Sequence, residues 1–297
     1  MIRILTSRMP LAGDVRLGPG DDAALLADGT AITVDTLVEG IHWNHRLSPE
    51  DVGWKVLAVS VSDLAAMGAR PTWALLALSL PEPLELGWVE SFAVGFSAAA
   101  RRWGVSLVGG DTTRSPGPRF ASATLGGRAP ARPLTRSGGR PGDDLWVTGP
   151  IGLAGAGWSW EAPGPAALAA LRRPDPPLDL AADLVGLASA AMDLSDGLSL
   201  DLRRLCAASG VGADVQRAAL PGHAELGPDP WEIQVAGGED YQLLFSAPVV
   251  NRDAIALAAG HHRRVVARIG AFTTGDLRLD GEPWPRLGFE HFRRGDA

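Results

Sequence analysis

The stretch Val105-Ser106-Leu107-Val108-Gly109-Gly110-Asp111-Thr112-Thr113 constrains this chain more than any other. A short run rich in valine and leucine predicts a buried strand. Two glycines end it, and there a backbone comes close to a ligand without a side chain in the way. The carboxylate and two hydroxyls that follow are hard oxygen donors, which suit Mg²⁺, and Mg²⁺ usually arrives with phosphate. Taken alone, an acid in that place is more often a turn or helix-cap residue. It gains weight because the same grammar recurs along the chain.

Gly18-Pro19-Gly20-Asp21-Asp22 is a turn carrying two acids, followed by the apolar Ala23–Leu26. Asp28-Gly29 is a two-residue hairpin signal, and the next strand, Ala31–Val34, ends at Asp35-Thr36. Asp22 and Asp35 are therefore expected near the ends of neighbouring strands. Ser48-Pro49-Glu50-Asp51 opens a helix, with serine as cap, proline at the first position and an acid three residues on. The helix should reach Met67 and stop at Gly68. Val52, Val56, Val59 and Asp63 share one of its faces, so Asp63 points inward with the valines. A buried carboxylate needs a cation, an arginine or a proton, and Lys55 is the only lysine in the chain.

Further strands are predicted at Pro71–Leu80 and Phe120–Leu125, and a helix over Glu85–Trp103 with Gly104 as its stop. Gly126–Gly142, dense in Gly, Pro and Arg, is the clearest linker. It puts the domain boundary at residues 137/138, with Arg136 either a solvated linker side chain or a phosphate contact. Beyond it come a strand at Asp144–Thr148, a Gly-rich segment (Gly149, Gly152, Gly155, Gly157) and a helix over Leu178–Ala191. The Gly-rich segment lacks the G-x-x-x-x-G-K-[ST] pattern of a Walker loop. Met192-Asp193-Leu194-Ser195-Asp196-Gly197 and Val235-Ala236-Gly237-Gly238-Glu239-Asp240 then repeat the acid, hydroxyl and glycine theme. Ser195 or Asp196 is placed to cap the helix that follows and ends at Gly210, and free N–H groups at such a start favour phosphate. A strand is expected at Tyr241–Ala247 and a helix at Val249–Ala259. The tail holds Trp284, Phe289 and Phe292, which suit covering a core edge or a ligand.

With 297 residues, 46% of them hydrophobic, the chain has ample core for about two domains. A net charge of -7 disfavours non-specific nucleic-acid binding and favours cations where the acids meet. Cys206 is the single cysteine, so a cysteine-based zinc site and an intrachain disulfide are excluded. No basic region followed by an apolar core opens the chain, and no apolar stretch is long enough for a bilayer, so a cytoplasmic protein without membrane contact is expected.

Acids presented from buried elements thus occur around Asp22, Asp35, Asp63, Asp111, Asp193/Asp196 and Glu239. One could be accidental; six are poorly explained by turn chemistry, and their natural use is a multi-Mg²⁺ phosphate site. Gly20-Asp21-Asp22-Ala23-Ala24, Val34–His42, Ser62–Ala69, Gly109–Thr113, Leu134-Thr135-Arg136-Ser137-Gly138, Met192–Leu198 and Gly237–Tyr241, in this order, resemble the thiamine-monophosphate kinase family. The GDD and GGD pieces alone are shared with the wider aminoimidazole ribonucleotide synthetase-like superfamily.

The resemblance implies an α/β (α+β) fold in two domains. Residues 1–137 would form an N-terminal mixed sheet with flanking helices that binds metal and ATP and dimerises, and residues 138–297 a C-terminal α/β domain. It implies ATP-dependent phosphorylation of thiamine monophosphate to thiamine diphosphate by a homodimer. Position by position, Asp22, Thr33, Val34, Asp35, Asp63, Asp111, Asp193 and Asp196 would hold Mg²⁺. Gly110, Asp111, Arg136 and Ser195 would meet ATP, with Asp63, Asp111 and Arg136 carrying the catalysis. His42 and Glu239 would contact the thiamine moiety. The family also places an aromatic near the C-terminus against substrate. An ungapped match puts Arg286 there, with Trp284 and Phe289 close by, and Trp284 is the candidate taken forward.

Rival readings are another ATP-using enzyme of the superfamily or a non-catalytic Mg²⁺-nucleotide-binding regulator. A selenophosphate synthetase should offer a reactive cysteine near its N-terminus and a hydrogenase-maturation relative a C-terminal one. This chain has neither.

Overall fold

The computed structural model describes residues 2–6 and 9–289, so Phe292 lies outside the described residues. The chain divides into two compact units, Met1–Thr135 and Arg136–Ala297.

The first unit runs α1 (Ile2–Thr6), β1 (Val15–Leu17), β2 (Ala24–Leu26), β3 (Thr30–Val38), α2 (Pro49–Ala66), β4 (Arg70–Leu80), α3 (Leu86–Trp103), β5 (Ser106–Arg114) and β6 (Phe120–Arg128). Its mixed sheet has the order β1-β2-β3-β6-β4-β5, with β5 parallel to β4 and at the edge. The Asp28-Gly29 turn joins β2 to β3 as expected, and the Asp28 carboxylate accepts the Thr30 amide at 2.9 Å. Ser48 and Asp51 form a reciprocal capping box at the start of α2, which ends at Met67 before Gly68. This helix is buried along nearly its whole length because α3 covers one side and β3, β6 and β4 another. Helix α3 stops at Gly104, whose left-handed φ of 67° suits glycine.

Four expectations change here. The strand forms over Ser106–Arg114, but as an exposed edge and not a buried strand, and only Val105 ahead of it is buried. Asp35 sits in the middle of β3, which continues to Val38. Gly126–Arg128 belong to β6, not to a linker, and Gly126 leaves room for the Trp73 indole. Asp63 is half-buried, whereas the valines on its face are fully enclosed.

The second unit contains β7 (Asp144–Thr148), α4 (Leu153–Ser159), α5 (Pro165–Arg172), α6 (Leu178–Leu184), β8 (Ala190–Leu194), α7 (Leu198–Ser209), β9 (Gly212–Val215), α8 (Trp231–Ala236), β10 (Gln242–Ala247), α9 (Arg252–His262), β11 (Val266–Thr273), β12 (Arg278–Leu279) and β13 (Glu282–Pro283). The sheet order is β13-β12-β9-β11-β7-β10-β8, antiparallel except where β12 meets β9. Leu145, Val147, Met192 and Leu194 from the strands pack with Leu198, Leu202 and Leu205 of α7.

The Gly-rich segment expected after β7 is largely helix α4. Its glycines permit close packing, since a Cβ on Gly157 would come within 2.4 Å of the Ala167 carbonyl on α5. The helix expected over 178–191 ends at Leu184; Gly186, with φ 86°, turns the chain, and Ala190 onward pairs with β10. The apolar approach to Gly237 is a short helix, α8, and strands β9 and β11 had no clear signal in the sequence.

Candidate active site

In the first unit the Thr33 side chain joins a turn, a strand and a helix. Its hydroxyl donates to the Asp63 carboxylate at 2.5 Å, and lies 3.3 Å from the Asp22 carbonyl oxygen. Carboxylate oxygens of Asp22 and Asp63 lie within 4.8 Å of each other. Two carboxylates and a hydroxyl at that spacing form a hard-oxygen set of the kind Mg²⁺ takes. Asp35 follows Thr33 by two residues and shares its face of β3, while Val34 turns its side chain outward on the other face.

Gly110 and Asp111 stand on the exposed β5. A Cβ at Gly110 would come within 1.8 Å of the Leu76 carbonyl on β4, so only glycine lets this strand lie so close. His42 follows β3. Its Nδ1 accepts the Val38 amide at 3.0 Å, which leaves the proton of a neutral imidazole on Nε2. The His42 carbonyl in turn accepts from Nζ of the fully buried Lys55. The sole lysine of the chain thus bonds the His42 backbone, and Thr33 is one partner of Asp63.

In the second unit β8 delivers a buried Asp193, and the chain then turns through Ser195, Asp196 and Gly197 into α7. A Cβ at Gly197 would meet the Ala236 carbonyl at 2.9 Å, and its φ of 100° also calls for glycine. The turn is tied to the Gly-Gly-Glu-Asp loop: Glu239 N–H donates to the Ser195 carbonyl at 2.8 Å and Tyr241 N–H to that of Leu194. Ser195, Asp196 and Glu239 are thus brought together. Arg136, the first residue of this unit, has its carbonyl held by the Ser209 hydroxyl at 2.9 Å. Its guanidinium is near enough to Arg204 to act against that residue's charge.

Neither Ser195 nor Asp196 caps α7, contrary to expectation. Asp201, from inside the helix, does the work: its Oδ2 accepts the amides of Ser195 at 3.1 Å and Asp196 at 3.0 Å. Its Oδ1 accepts Arg204 Nη1 at 2.6 Å, and the same nitrogen is 2.6 Å from Asp196 Oδ2. Burial pushes the Asp201 carboxyl up to about 7, with Arg204 pulling it down and Asp196 adding to the rise. For Arg204, burial works against the charge, and the carboxylates of Asp201 and Asp196 outweigh it. Sequence reasoning missed both residues. The available signal was an acid in the first turn of a predicted helix, reaching back toward preceding amides as in a capping box. Asp240, also unassigned, accepts the Gly152 amide at 2.7 Å ahead of α4.

Trp284 is only 6% exposed within the core, and its indole N–H donates to the Ser199 carbonyl at 3.0 Å. Arg286 is exposed, and Phe289 is 45% exposed with its amide donating to the Asp196 carbonyl at 3.2 Å. Cys206 is buried in α7, and burial pushes its thiol up to about 12, a poor start for thiolate chemistry. Among the described residues, no helix is long and apolar enough to cross a membrane.

Residues 20–129 match the family model described as AIR synthase related protein, N-terminal domain, and residues 140–280 the corresponding C-terminal domain. The chain is 42% identical to the thiamine-monophosphate kinase of Salmonella typhimurium and 40% identical to that of Escherichia coli K12, each match covering 98% of this chain and 95% of the relative. Among solved structures, thiamine-monophosphate kinase from Stenotrophomonas maltophilia superposes with a TM-score of 0.80 at 38% identity, covering 95% of this chain and 96% of that one. AaThiL complexed with AMPPCP and TMP gives 0.83 at 32% identity, covering 98% and 94%.

Proposed function

The chain belongs to the thiamine-monophosphate kinase family, and from that premise we infer that it transfers the γ-phosphoryl group of ATP to the phosphate of thiamine monophosphate. A relative holding AMPPCP and TMP together supports a nucleotide donor beside a phosphorylated acceptor. Within this chain the reading is carried by the oxygen group of Asp22, Thr33 and Asp63. In the transfer, the bond from the γ phosphorus to the β–γ bridging oxygen breaks and a bond to an acceptor phosphate oxygen forms, releasing ADP and thiamine diphosphate. That acceptor is already anionic at neutral pH, so no strong general base is required. Catalysis is then positioning and charge neutralisation.

Asp22, Asp35, Asp63, Asp111, Asp193 and Asp196, with Thr33 and the backbone of Val34, are the residues we assign to Mg²⁺; all offer oxygen. Bound there, Mg²⁺ would neutralise phosphate charge and orient the phosphate oxygens. Gly110, Arg136 and Ser195 are assigned to ATP, with Arg136 neutralising charge on the transferring group. His42, its ring fixed by the Val38 amide, and Glu239, held beside Ser195, are assigned to the thiamine moiety. Of the two aromatics near the C-terminus, Trp284 and Phe289, the greater exposure of Phe289, 45% against 6%, supports it as the one offered to substrate. Residues 1–137 would form the metal- and ATP-binding domain and 138–297 the second domain. The exposed apolar edge of β5 supports pairing of the N-terminal sheets in a homodimer. Use of ATP supports a cytoplasmic location.

The test is incubation with ATP, Mg²⁺ and thiamine monophosphate, followed by assay for thiamine diphosphate. The reading also requires that thiamine lacking its phosphate is not phosphorylated, since the acceptor it assigns is an anionic phosphate oxygen and none of the residues is given the role of a base for a neutral alcohol. Formation of thiamine monophosphate from thiamine at a comparable rate would contradict it.

A further inference from the structure

Asp201 carries out a task that its place in the fold makes unusual. Its side chain is fully buried, yet its oxygens bond to the turn ahead of its own helix and to Arg204. One oxygen gathers the amides of Ser195 and Asp196, and the other meets Arg204, which in turn reaches the Asp196 carboxylate. On its other side the same peptide unit is fastened by Glu239, and the Asp196 carbonyl by Phe289. The Asp196 carboxylate is therefore aimed through two linkages, one along the backbone and one through a guanidinium.

We propose that Asp201 and Arg204 are positioning residues that set the direction of the Asp196 carboxylate and hold the Ser195-Asp196 turn in its phosphate- and metal-facing conformation. This rests on the reading of Asp196 as a Mg²⁺ ligand and Ser195 as a nucleotide contact. Outer groups of this sort orient ligands without touching the ion. The arrangement also limits side-chain choice. Asparagine at 201 can still accept the two amides through its one oxygen, but it turns an N–H₂ group toward Arg204. Glutamine at 204 removes the bridging charge while leaving Asp201 and its amide bonds in place. Lysine at 204 restores a cation but not the planar group that reaches both carboxylates.

The experiment uses the full chain with Mn²⁺ as probe, in the presence of AMPPCP, and follows free Mn²⁺ by electron paramagnetic resonance. Wild type, Asp196→Asn, Asp201→Asn, Arg204→Gln and Arg204→Lys are compared, with amide hydrogen exchange measured over residues 193–200. Asp201→Asn and Arg204→Gln should weaken Mn²⁺ binding by about 10–100-fold, and raise the Mg²⁺ concentration needed for half-maximal rate by a similar factor. Arg204→Lys should recover part of the loss. Exchange of the Ser195 and Asp196 amides should quicken in Asp201→Asn, while the far-ultraviolet circular dichroism of each variant stays that of wild type. Unchanged Mn²⁺ affinity in Arg204→Gln and Asp201→Asn, with Asp196→Asn impaired, overturns the positioning role alone. Unchanged affinity in Asp196→Asn overturns the assignment of Asp196 itself.

Discussion

Thr33 on β3 donates its hydroxyl to the Asp63 carboxylate on α2 at 2.5 Å, although the two residues are 30 positions apart. A strand and the helix packed on it meet at this bond, and Asp22 approaches from the turn before β2. Asp63→Asn keeps nearly the same volume but removes the charge. It should abolish turnover while the far-ultraviolet circular dichroism stays that of wild type. Thr33→Val removes one neutral oxygen from the same set and no charge, so it should lower the rate less than Asp63→Asn does. Near-normal activity of Asp63→Asn would remove Asp63 from the metal set.

Metal demand follows from charge. ATP brings about -4 and a phosphomonoester about -1.5 to -2 at neutral pH. The carboxylates of Asp22 and Asp63 add to this within 4.8 Å of each other, and at an effective dielectric of ~20 a unit pair at about 4 Å costs about 4 kcal/mol. Initial rate should therefore keep rising with free Mg²⁺ after all ATP is complexed. A rate that saturates once ATP is fully Mg²⁺-bound would sink a site holding several ions.

Helices α2 and α3 touch through glycine. A Cβ on Gly53 would stand 2.0 Å from the Phe92 carbonyl, and one on Gly95 would stand 1.8 Å from that of Glu50. Both obstacles are backbone, so the helices themselves must part. Gly53→Ala and Gly95→Ala should each destabilise the protein by at least the ~1–3 kcal/mol of an overpacked core, read as a lower denaturant midpoint. An unchanged midpoint for both would mean the helices separate at no cost.

Asp144 on β7 is buried against Arg252, whose Nε and Nη2 lie 2.6 and 2.7 Å from its two oxygens. That hydrogen bonding, with the charges of Arg252 and Arg268, outweighs burial and holds the carboxyl below its ordinary range. A depressed folded-state value means stability present above the unfolded value, about 4, and lost as pH falls through the folded one. Asp144→Asn should therefore be less stable than wild type at pH 7, and the gap should close as pH falls below about 4. A gap independent of pH would show that shape, not charge, holds β7 to α9.

The edge strand β5 exposes Leu107 and Val108, the latter 61% accessible, on a sheet already open to pairing. Wild type should sediment as a dimer, and Val108→Lys should shift it toward monomer. Wild type sedimenting as a monomer would refute the pairing of N-terminal sheets.

Much of this protein is decided by neighbours in the sequence. The Ser48–Asp51 capping box, the hairpin at Asp28-Gly29 and the stops at Gly68, Gly104 and Gly210 each depend on a few consecutive residues. They were legible for that reason, as were the motif acids, which lie next to glycines or hydroxyls that mark them. Other features depend on what the folded chain brings alongside. The run at 105–108 is apolar whether it is covered or not, and only the strand order left it at an edge. Trp284 reads as a free aromatic until the Ser199 carbonyl takes its N–H. Asp201 resembles any acid in a first helical turn, and only the folded turn before α7 presents it with two amides and Arg204. Residue type and spacing determine which groups can bond and which faces are apolar; the partner that satisfies each, and whether a face is covered, is set by elements distant in the chain.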